Sequence, residues 1–215
     1  MSTSYKTVQQ EASDEFVEKR SRFIGYCKPV TTEEEALEFI NRIKSKHWDA
    51  RHNVYAYSLR EGQIKRYSDD GEPQGTAGMP VLDVLVKGEL TDLVVVVTRY
   101  FGGVLLGTGG LVRAYSHSAK LATEASHIIK MEQCLMCTLG CNYNQYGKVS
   151  ALVAQCGGTV DDSVFGTDVE LSFHIAQDGF NKLTKELADA TCGEVEPVEE
   201  FKEYFAVELY IVVCR

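Results

Sequence analysis

The chain has 215 residues, of which 22 are lysine or arginine and 31 are aspartate or glutamate, so the formal net charge is −9. This length allows one domain or two small ones, and a composition of 44% hydrophobic and 25% charged residues is typical of a folded globular chain. A protein that binds nucleic acid over its whole surface carries a basic excess, because it must neutralise phosphates. The acidic composition therefore excludes a protein that binds nucleic acid over its whole surface, but it permits a local basic site.

The sequence carries no recognisable targeting segment. It contains no run of 18 or more apolar residues, so no transmembrane helix is predicted. Met1–Lys6 leads into polar sequence without an apolar segment, so no signal peptide is predicted. The seven cysteines are therefore expected to be reduced thiols in the cytoplasm rather than a disulfide framework.

Charge is distributed unevenly along the chain. Residues 1–129 carry 16 basic and 17 acidic side chains, a net charge of −1, whereas residues 130–215 carry 6 and 14, a net charge of −8. This shift predicts a boundary, which we place at Ser126–Gln133. We expect one domain at residues 1–129 and another at 134–215, with any phosphate contact confined to the first.

The first part contains strand-like and helical patterns. Strand-like runs at about Tyr5–Gln10 and Glu15–Val30 precede a helix, for which Thr32 and Glu35 form a capping box. A continuous apolar run, Leu93–Thr98, predicts a strand that is buried on both faces. The other predicted elements are a hairpin of His52–Leu59 with Ile64–Tyr67, a short helix Pro80–Val86, and a long helix from about Gly109 to His127.

The second part has the order strand, helix, strand, strand, helix, strand. Cys134–Cys141 is the first strand, and a helical stripe ends at Gly157. Apolar and polar residues alternate along Val169–Ile175, Asp178 is expected to cap the next helix, and the last strand is expected near Glu203–Val213. This βαββαβ order is that of the ferredoxin-like sandwich, so we predict an α+β fold class.

The glycine-rich segment Arg99–Arg113 is the densest candidate for chemistry. It lies between a buried strand and a helix, where backbone N–H groups can approach an anion closely. Its spacing is neither that of a P-loop nor that of a dinucleotide-binding motif. A tight turn with close helix packing explains the glycines equally well. The candidate anion-binding residues of this segment are Arg99, Gly102, Gly103, Gly107, Thr108, Gly109, Gly110 and Arg113.

Two other patterns have residue types that bind metals. Asp69, Asp70 and Glu72 lie within four residues and could hold Mg²⁺ or Ca²⁺, but Asp-Gly is also strong turn chemistry, and we favour the turn. Cys134, Cys137 and Cys141 lack a matched fourth ligand, so we interpret the cysteines as small buried hydrophobes. We therefore predict no metal and no cofactor.

A basic and aromatic cluster lies between residues 44 and 57. Such combinations contact single-stranded RNA, although basic residues are also common at the C-terminal end of a helix. The candidate nucleic-acid-binding residues of this cluster are Lys44, Lys46, Arg51 and His52.

Three blocks of this sequence are long and specific. They are HNVYAY at His52–Tyr57, SDDGEPxGTAGxP at Ser68–Pro80 and VTRYFGGxxLGxGGLxRAY at Val97–Tyr115. In this order they resemble the IMPACT family, in its bacterial two-domain form. The second part resembles the C-terminal domain of bacterial members through less specific motifs.

The resemblance implies a fold and a function. The N-terminal domain is expected to have the βαβ-rich fold of the second domain of a small-subunit ribosomal protein. The C-terminal domain is expected to be ferredoxin-like and similar to the last domain of elongation factor G. Eukaryotic members are translational regulators that interfere with activation of a starvation-responsive initiation-factor kinase. They carry an additional N-terminal partner-binding domain, which this chain is expected to lack.

Two functions are compatible with these patterns. The first is a non-enzymatic regulator that binds the ribosome, RNA or a translation-linked protein through the glycine-rich segment, without a membrane. The alternative is a metal-assisted enzyme for a small phosphorylated substrate, in which Asp69, Asp70 and Glu72 hold a metal or act as a base and His52 transfers protons. The alternative requires that the acidic block lie beside the glycine-rich segment. Catalytic residues and oligomeric state are left open.

Overall fold

The computed structural model describes residues 4–207. Within them, ten β-strands and five α-helices form two compact units, Tyr5–Lys130 and Met131–Val207. The predicted α+β class is confirmed. The division lies inside the stretch Ser126–Gln133, and we propose that the two units are the two domains expected from the sequence.

The first unit is built on a five-stranded antiparallel sheet with the order β2-β3-β6-β4-β5. Helix α1 connects β3 to β4, which lie on opposite sides of β6, so this part is a βαβ crossover. Strand β1 lies outside this sheet, and its Lys6 forms a bridge with Leu90. The elements are β1 (Ser4–Val8), β2 (Ala12–Glu18), β3 (Ser21–Pro29), α1 (Glu33–Lys46), β4 (His52–Ser58), β5 (Lys65–Ser68), α2 (Gly78–Lys87), β6 (Leu93–Tyr100) and α3 (Thr108–Ala125).

The central strand β6 is buried on both faces, as its unbroken apolar run predicts. Val94 and Val96 pack in the cluster that contains Phe39 of α1. Val95 and Val97 pack on the opposite face, in the cluster that contains residues of α2 and α3. Burial on both faces removes the need for polar alternation, which explains the continuous β-branched sequence. The sheet is therefore the rigid layer from which the site is built.

The segment predicted as one strand at Glu15–Val30 is a β-hairpin. Glu18 pairs with Ser21, so Lys19 and Arg20 form a two-residue turn between β2 and β3. Their φ angles are 46° and 68°, values for which asparagine or glycine is usual. The sequence lacks those turn residues, which is why the prediction was wrong here.

The second unit has the predicted βαββαβ order and a sheet order of β10-β7-β9-β8. In chain order this is 4-1-3-2, the arrangement of a ferredoxin-like sandwich. The last strand begins earlier than the predicted Glu203–Val213, and the end of that range lies outside the described residues. The elements are β7 (Ile128–Cys141), α4 (Tyr143–Gln155), β8 (Thr159–Phe165), β9 (Val169–Ile175), α5 (Gln177–Thr191) and β10 (Val198–Val207).

Two details of the second unit concern individual residues. The N-cap position of α5 is Ala176, so Asp178 lies in the first turn of the helix instead of capping it.

Cys137 and Cys141 belong to the apolar core, and burial raises the pKa of the Cys137 thiol to about 11. A neutral thiol in an apolar core acts as a small hydrophobe, as predicted from the sequence.

The close approach of β3 to α3 makes Gly25 a sensitive position. An alanine Cβ at Gly25 would lie 2.5 Å from the carbonyl oxygen of Ser118 in α3. We expect Gly25→Ala to lower the free energy of unfolding by about 1–3 kcal/mol, because the helix must move away from the sheet. Gly140→Ala is the control, since a Cβ at Gly140 of β7 meets nothing within 4 Å. Equal midpoints for the two variants in urea unfolding, followed by circular dichroism, would contradict the packing argument.

Candidate anion-binding site

The three sequence blocks meet at one pocket of about 380 Å³, which we call the motif pocket. The end of β6 and the start of α3 form one side, and the segments around residues 51–52 and 72–73 form the other. The alternative enzyme function required this proximity between the acidic block and the glycine-rich segment. The lining residues are Arg51, His52, Glu72, Pro73, Arg99, Phe101, Leu105, Leu106, Gly107, Thr108 and Leu111.

A buried ion pair lies at the base of the motif pocket. Arg99 Nη1 donates to Glu72 Oε1 at 2.5 Å, and the two side chains are only 6% and 4% exposed. Tyr115 Oη of α3 donates to the same carboxylate oxygen at 2.8 Å. Burial, together with the charge of Glu72, raises the pKa of Tyr115 far above its ordinary value, so its hydroxyl remains a donor. Glu72 is thus held by two elements, β6 and α3.

The positive charge of Arg99 is neutralised inside the protein and is not presented to solvent. Its guanidinium lies 5.5 Å from the ring centres of both Phe23 and Phe101, and its Nε is buried without a hydrogen-bond partner in residues 4–207. Glu72 neutralises this cation. Arg99 was predicted to grip an anion, and its position at the pocket wall makes it a support for the site rather than a free cation.

The orientation of His52 is set by its backbone contact. His52 Nδ1 lies 2.8 Å from the carbonyl oxygen of Asp70. A carbonyl oxygen can only accept, so Nδ1 carries the proton and donates. Nε2 lies 3.9 Å from Glu72 Oε1, and His52 lines the motif pocket. The imidazole therefore presents Nε2 to the pocket in a fixed position.

The other two carboxylates of the acidic block have partners of their own. Asp69 accepts from the backbone N–H of Gly78 at 2.8 Å and so caps the start of α2. Asp70 accepts from the N–H of Asn53 at 2.6 Å and from Lys44 Nζ at 2.8 Å. No group of three His, Cys, Asp or Glu side chains among the described residues could hold a metal ion. The acidic block is thus a turn whose aspartate side chains are held by backbone N–H groups and by Lys44.

The glycines of the segment have two different roles. A Cβ at Gly102 would lie 2.0 Å from the backbone of Arg20, and one at Gly110 would lie 3.0 Å from Leu106 Cβ. Gly102 therefore requires glycine for packing, and a side chain at Gly110 would require Leu106 to shift. A Cβ at Gly103 or Gly109 would meet nothing within 4 Å. Those two positions face open space, which is the arrangement that an approaching ligand needs.

The start of α3 is open towards the pocket. Its N-cap residue is Gly107, with φ of 75°, and no side chain caps the helix. Gly107 and Thr108 both line the motif pocket. The first N–H groups of an α-helix have no partner within the helix, and the helix dipole places partial positive charge there. The geometry therefore suits an anion at this end of α3.

The remaining predicted site residues do not all reach this pocket. Arg51 lines it and is exposed. Arg113 lines a different pocket, beyond Leu106. Lys44 is paired with Asp70, and Lys46 lies 4.9 Å from the ring of Tyr26, so neither lysine lines the motif pocket. The structure brings Arg51 and His52 to the glycine-rich segment and leaves both lysines outside it.

Sequence reasoning missed Tyr115 in this site and Lys19 in the neighbouring pocket that Arg113 lines. Tyr115 was predicted to face inward, and the only signal for its role was that a buried tyrosine hydroxyl needs a partner. Lys19 lies on the unrecognised hairpin, for which no signal was present.

Comparisons with known proteins agree with this architecture. The family model described as the Impact N-terminal domain matches residues 19–123, and a domain of unknown function, DUF1949, matches residues 139–194. The chain is 39% identical to IMPACT family member YvyE of Bacillus subtilis, over 89% of this chain and 88% of that protein. It is 34% identical to IMPACT family member YigZ of Escherichia coli, over 83% and 89%.

A solved structure is similar as well. It is a crystal structure described as that of a hypothetical protein, with a TM-score of 0.59 and 31% identity, covering 94% of this chain and 100% of that one. A two-unit α+β chain, with a glycine-rich pocket in its first unit, is the class of protein defined by the fold and the site. The chain belongs to the IMPACT family, in the two-domain form of its bacterial members.

The buried Glu72–Arg99 pair predicts that removing one of its charges lowers the stability far more than removing both. Glu72→Gln leaves the Arg99 charge buried without a carboxylate, and we expect the free energy of unfolding to fall by about 3–5 kcal/mol. Adding Arg99→Met should recover most of that loss, because the uncompensated charge is removed. Urea unfolding measures both effects. Glu15→Gln is the matched control, since Glu15 and Arg22 are about half exposed and such pairs contribute under about 1 kcal/mol. A double variant no more stable than Glu72→Gln would contradict the argument.

Proposed function

We propose that this protein is a cytoplasmic regulator of translation that binds RNA, free or in the ribosome, through phosphate contacts in the motif pocket. The observation that carries the proposal is the convergence of Arg51, His52 and the open start of α3. Membership of the IMPACT family supports the link to translation. In residues 4–207, no helix is long and apolar enough to cross a membrane.

The electrostatics of the motif pocket favour an anion. Helix α3 has 18 residues, so its N-terminal N–H groups carry the full dipole effect. The negative charge of Glu72 is matched by Arg99, and Arg51 adds an exposed guanidinium. Guanidinium forks and helix N-termini are both established partners of phosphate. Phosphate is also the group that an RNA-binding surface must neutralise first.

The geometry supports the alternative, a metal-assisted enzyme, less well. Glu72 does lie in the same pocket as His52 and the glycine-rich segment. The carboxylates of Asp69 and Asp70, however, are engaged by backbone N–H groups and by Lys44. A Mg²⁺ site would need several oxygen ligands that converge on one point, and no such group of side chains is found among the described residues.

Binding is tested by co-sedimentation with ribosomes at low salt and by the affinity for a fluorescein-labelled uridine octamer as salt increases. We expect Arg51→Ala to weaken octamer binding about fivefold at 0.1 M salt and to make the salt dependence less steep, because one phosphate contact is lost. Arg99→Ala is not suitable, since it would disturb the buried pair. Absence of binding by the unmodified protein at low salt, to ribosomes and to the octamer alike, would contradict the proposal.

A second variant separates binding from stability. Gly109→Glu places a negative charge in the first turn of α3, where it interacts favourably with the helix dipole and where its Cβ meets no atom within 4 Å. We expect the melting temperature to stay or rise while octamer binding falls at least about tenfold, because the carboxylate occupies the anion position. Gly147→Glu in α4 adds the same charge to the second unit and is the control. Equal loss of binding in both variants would indicate a general charge effect and not a site.

A further inference from the structure

A second pocket lies on the other side of Leu106, a residue that lines both pockets. Its volume is about 270 Å³, and we call it the hairpin pocket, because one wall is the β2–β3 hairpin. The hairpin contributes Glu18 and Lys19, and α3 contributes Arg113 and His117. The first unit thus has two neighbouring cavities that share Leu106 in their lining.

The basic side chains of the hairpin pocket are available to a ligand. Lys19 and Arg113 are exposed, and in residues 4–207 neither has an ion pair or a side-chain hydrogen bond. His117 is also exposed, and its ring meets the edge of Phe16 at 4.7 Å between centroids. Glu18 is the one acidic side chain in the lining. Two permanent cations and an imidazole therefore face one carboxylate, which leaves the pocket positive.

The hairpin turn holds its basic residues in an unfavourable backbone conformation. Lys19 and Arg20 have positive φ angles, where residues with a Cβ are disfavoured and glycine or asparagine is usual. Neither side chain has a hydrogen bond or ion pair in the described residues that would offset this strain. Such conformations persist where the surrounding structure holds them, and binding sites are among those places. The turn places Lys19 in the hairpin pocket and sets the backbone of Arg20 against Gly102.

We propose that the hairpin pocket is a second phosphate subsite, so that a single strand of RNA crosses Leu106 with one phosphate in each pocket. This inference rests on the proposed function. It explains why Arg113 and Arg51 line separate cavities, which a ligand with a single phosphate would not require. A nucleotide chain is the fitting ligand class, because its phosphates repeat along the strand.

Apolar surface on the loop between Arg99 and Arg113 favours RNA over an acidic peptide as the ligand. Phe101 lines the motif pocket and is 44% exposed, and Leu105 in the same lining is 82% exposed. Exposed aromatic side chains beside phosphate contacts are the usual platforms for unpaired bases. A single strand presents such bases, whereas duplex RNA keeps them stacked.

The test compares a uridine octamer with UMP as ligands of the full chain. In the unmodified protein the octamer should bind at least tenfold more tightly than UMP, because its second phosphate binds within the same complex. We expect Lys19→Ala with Arg113→Ala to weaken octamer binding about fivefold at 0.1 M salt, to lower the slope of log affinity against log salt by about 0.7, and to reduce the octamer's advantage over UMP. Both side chains are exposed, so the fold should be retained, as circular dichroism will verify.

Lys65→Ala with Arg66→Ala is the matched control. It removes the same charge from β5, and neither residue lines the motif pocket or the hairpin pocket. An equal effect of the control pair would overturn the inference. So would octamer binding that depends on Arg51 but not on Lys19 and Arg113, a result that leaves the proposed function intact. An acidic phosphopeptide that displaces the octamer and binds more tightly would also overturn it. Absence of octamer binding by the unmodified protein would overturn the inference, and absence of ribosome binding as well would remove the proposed function itself.

Discussion

The buried pair of Glu72 and Arg99 is the contact on which the motif pocket depends. Taking two charges out of water costs more than their attraction returns unless the geometry is nearly ideal and further hydrogen bonds are made. Here Tyr115 supplies such a bond, and Phe23 and Phe101 lie beside the guanidinium. The pair therefore requires β6, the acidic block and α3 to be in place together. The acidic block, a segment of irregular backbone, is thereby held in place against the sheet that contains β6.

The pair also divides the charged residues into those that build the site and those that face solvent. Arg99 has the sequence context of an anion ligand, yet its charge is matched inside the protein. Three exposed cations line the cavities beside the glycine-rich segment: Arg51, Lys19 and Arg113. Each reaches a cavity without a competing ion pair in the described residues. The supporting cation and the available cations are thus different residues, although all of them are basic and close to the same loop.

The sequence predicted what depends on local pattern and missed what depends on distant partners. The apolar run of β6 and the βαββαβ order of the second unit follow from periodicity, which is local. The partner of Arg99 is 27 residues away along the chain, and no spacing rule identifies it. Arg113 was placed with Arg99 because both flank the glycines. It is the sixth residue of α3, about 7.5 Å along the helix axis from the first, so it serves another cavity.

The net charge of −1 for residues 1–129 understates how positive the candidate surface is. A carboxylate that pairs with a cation contributes little field outside the protein, and the positive end of a helix dipole partly offsets one that accepts from the helix N–H groups. All three carboxylates of the acidic block are held in this way, Asp69 by the start of α2, Asp70 by Asn53 and Lys44, and Glu72 by Arg99. The glycine-rich loop has no acidic side chain of its own. Charge counted along a sequence weights every residue equally, whereas a ligand meets only the exposed and unpaired ones, and near this loop those are mostly basic.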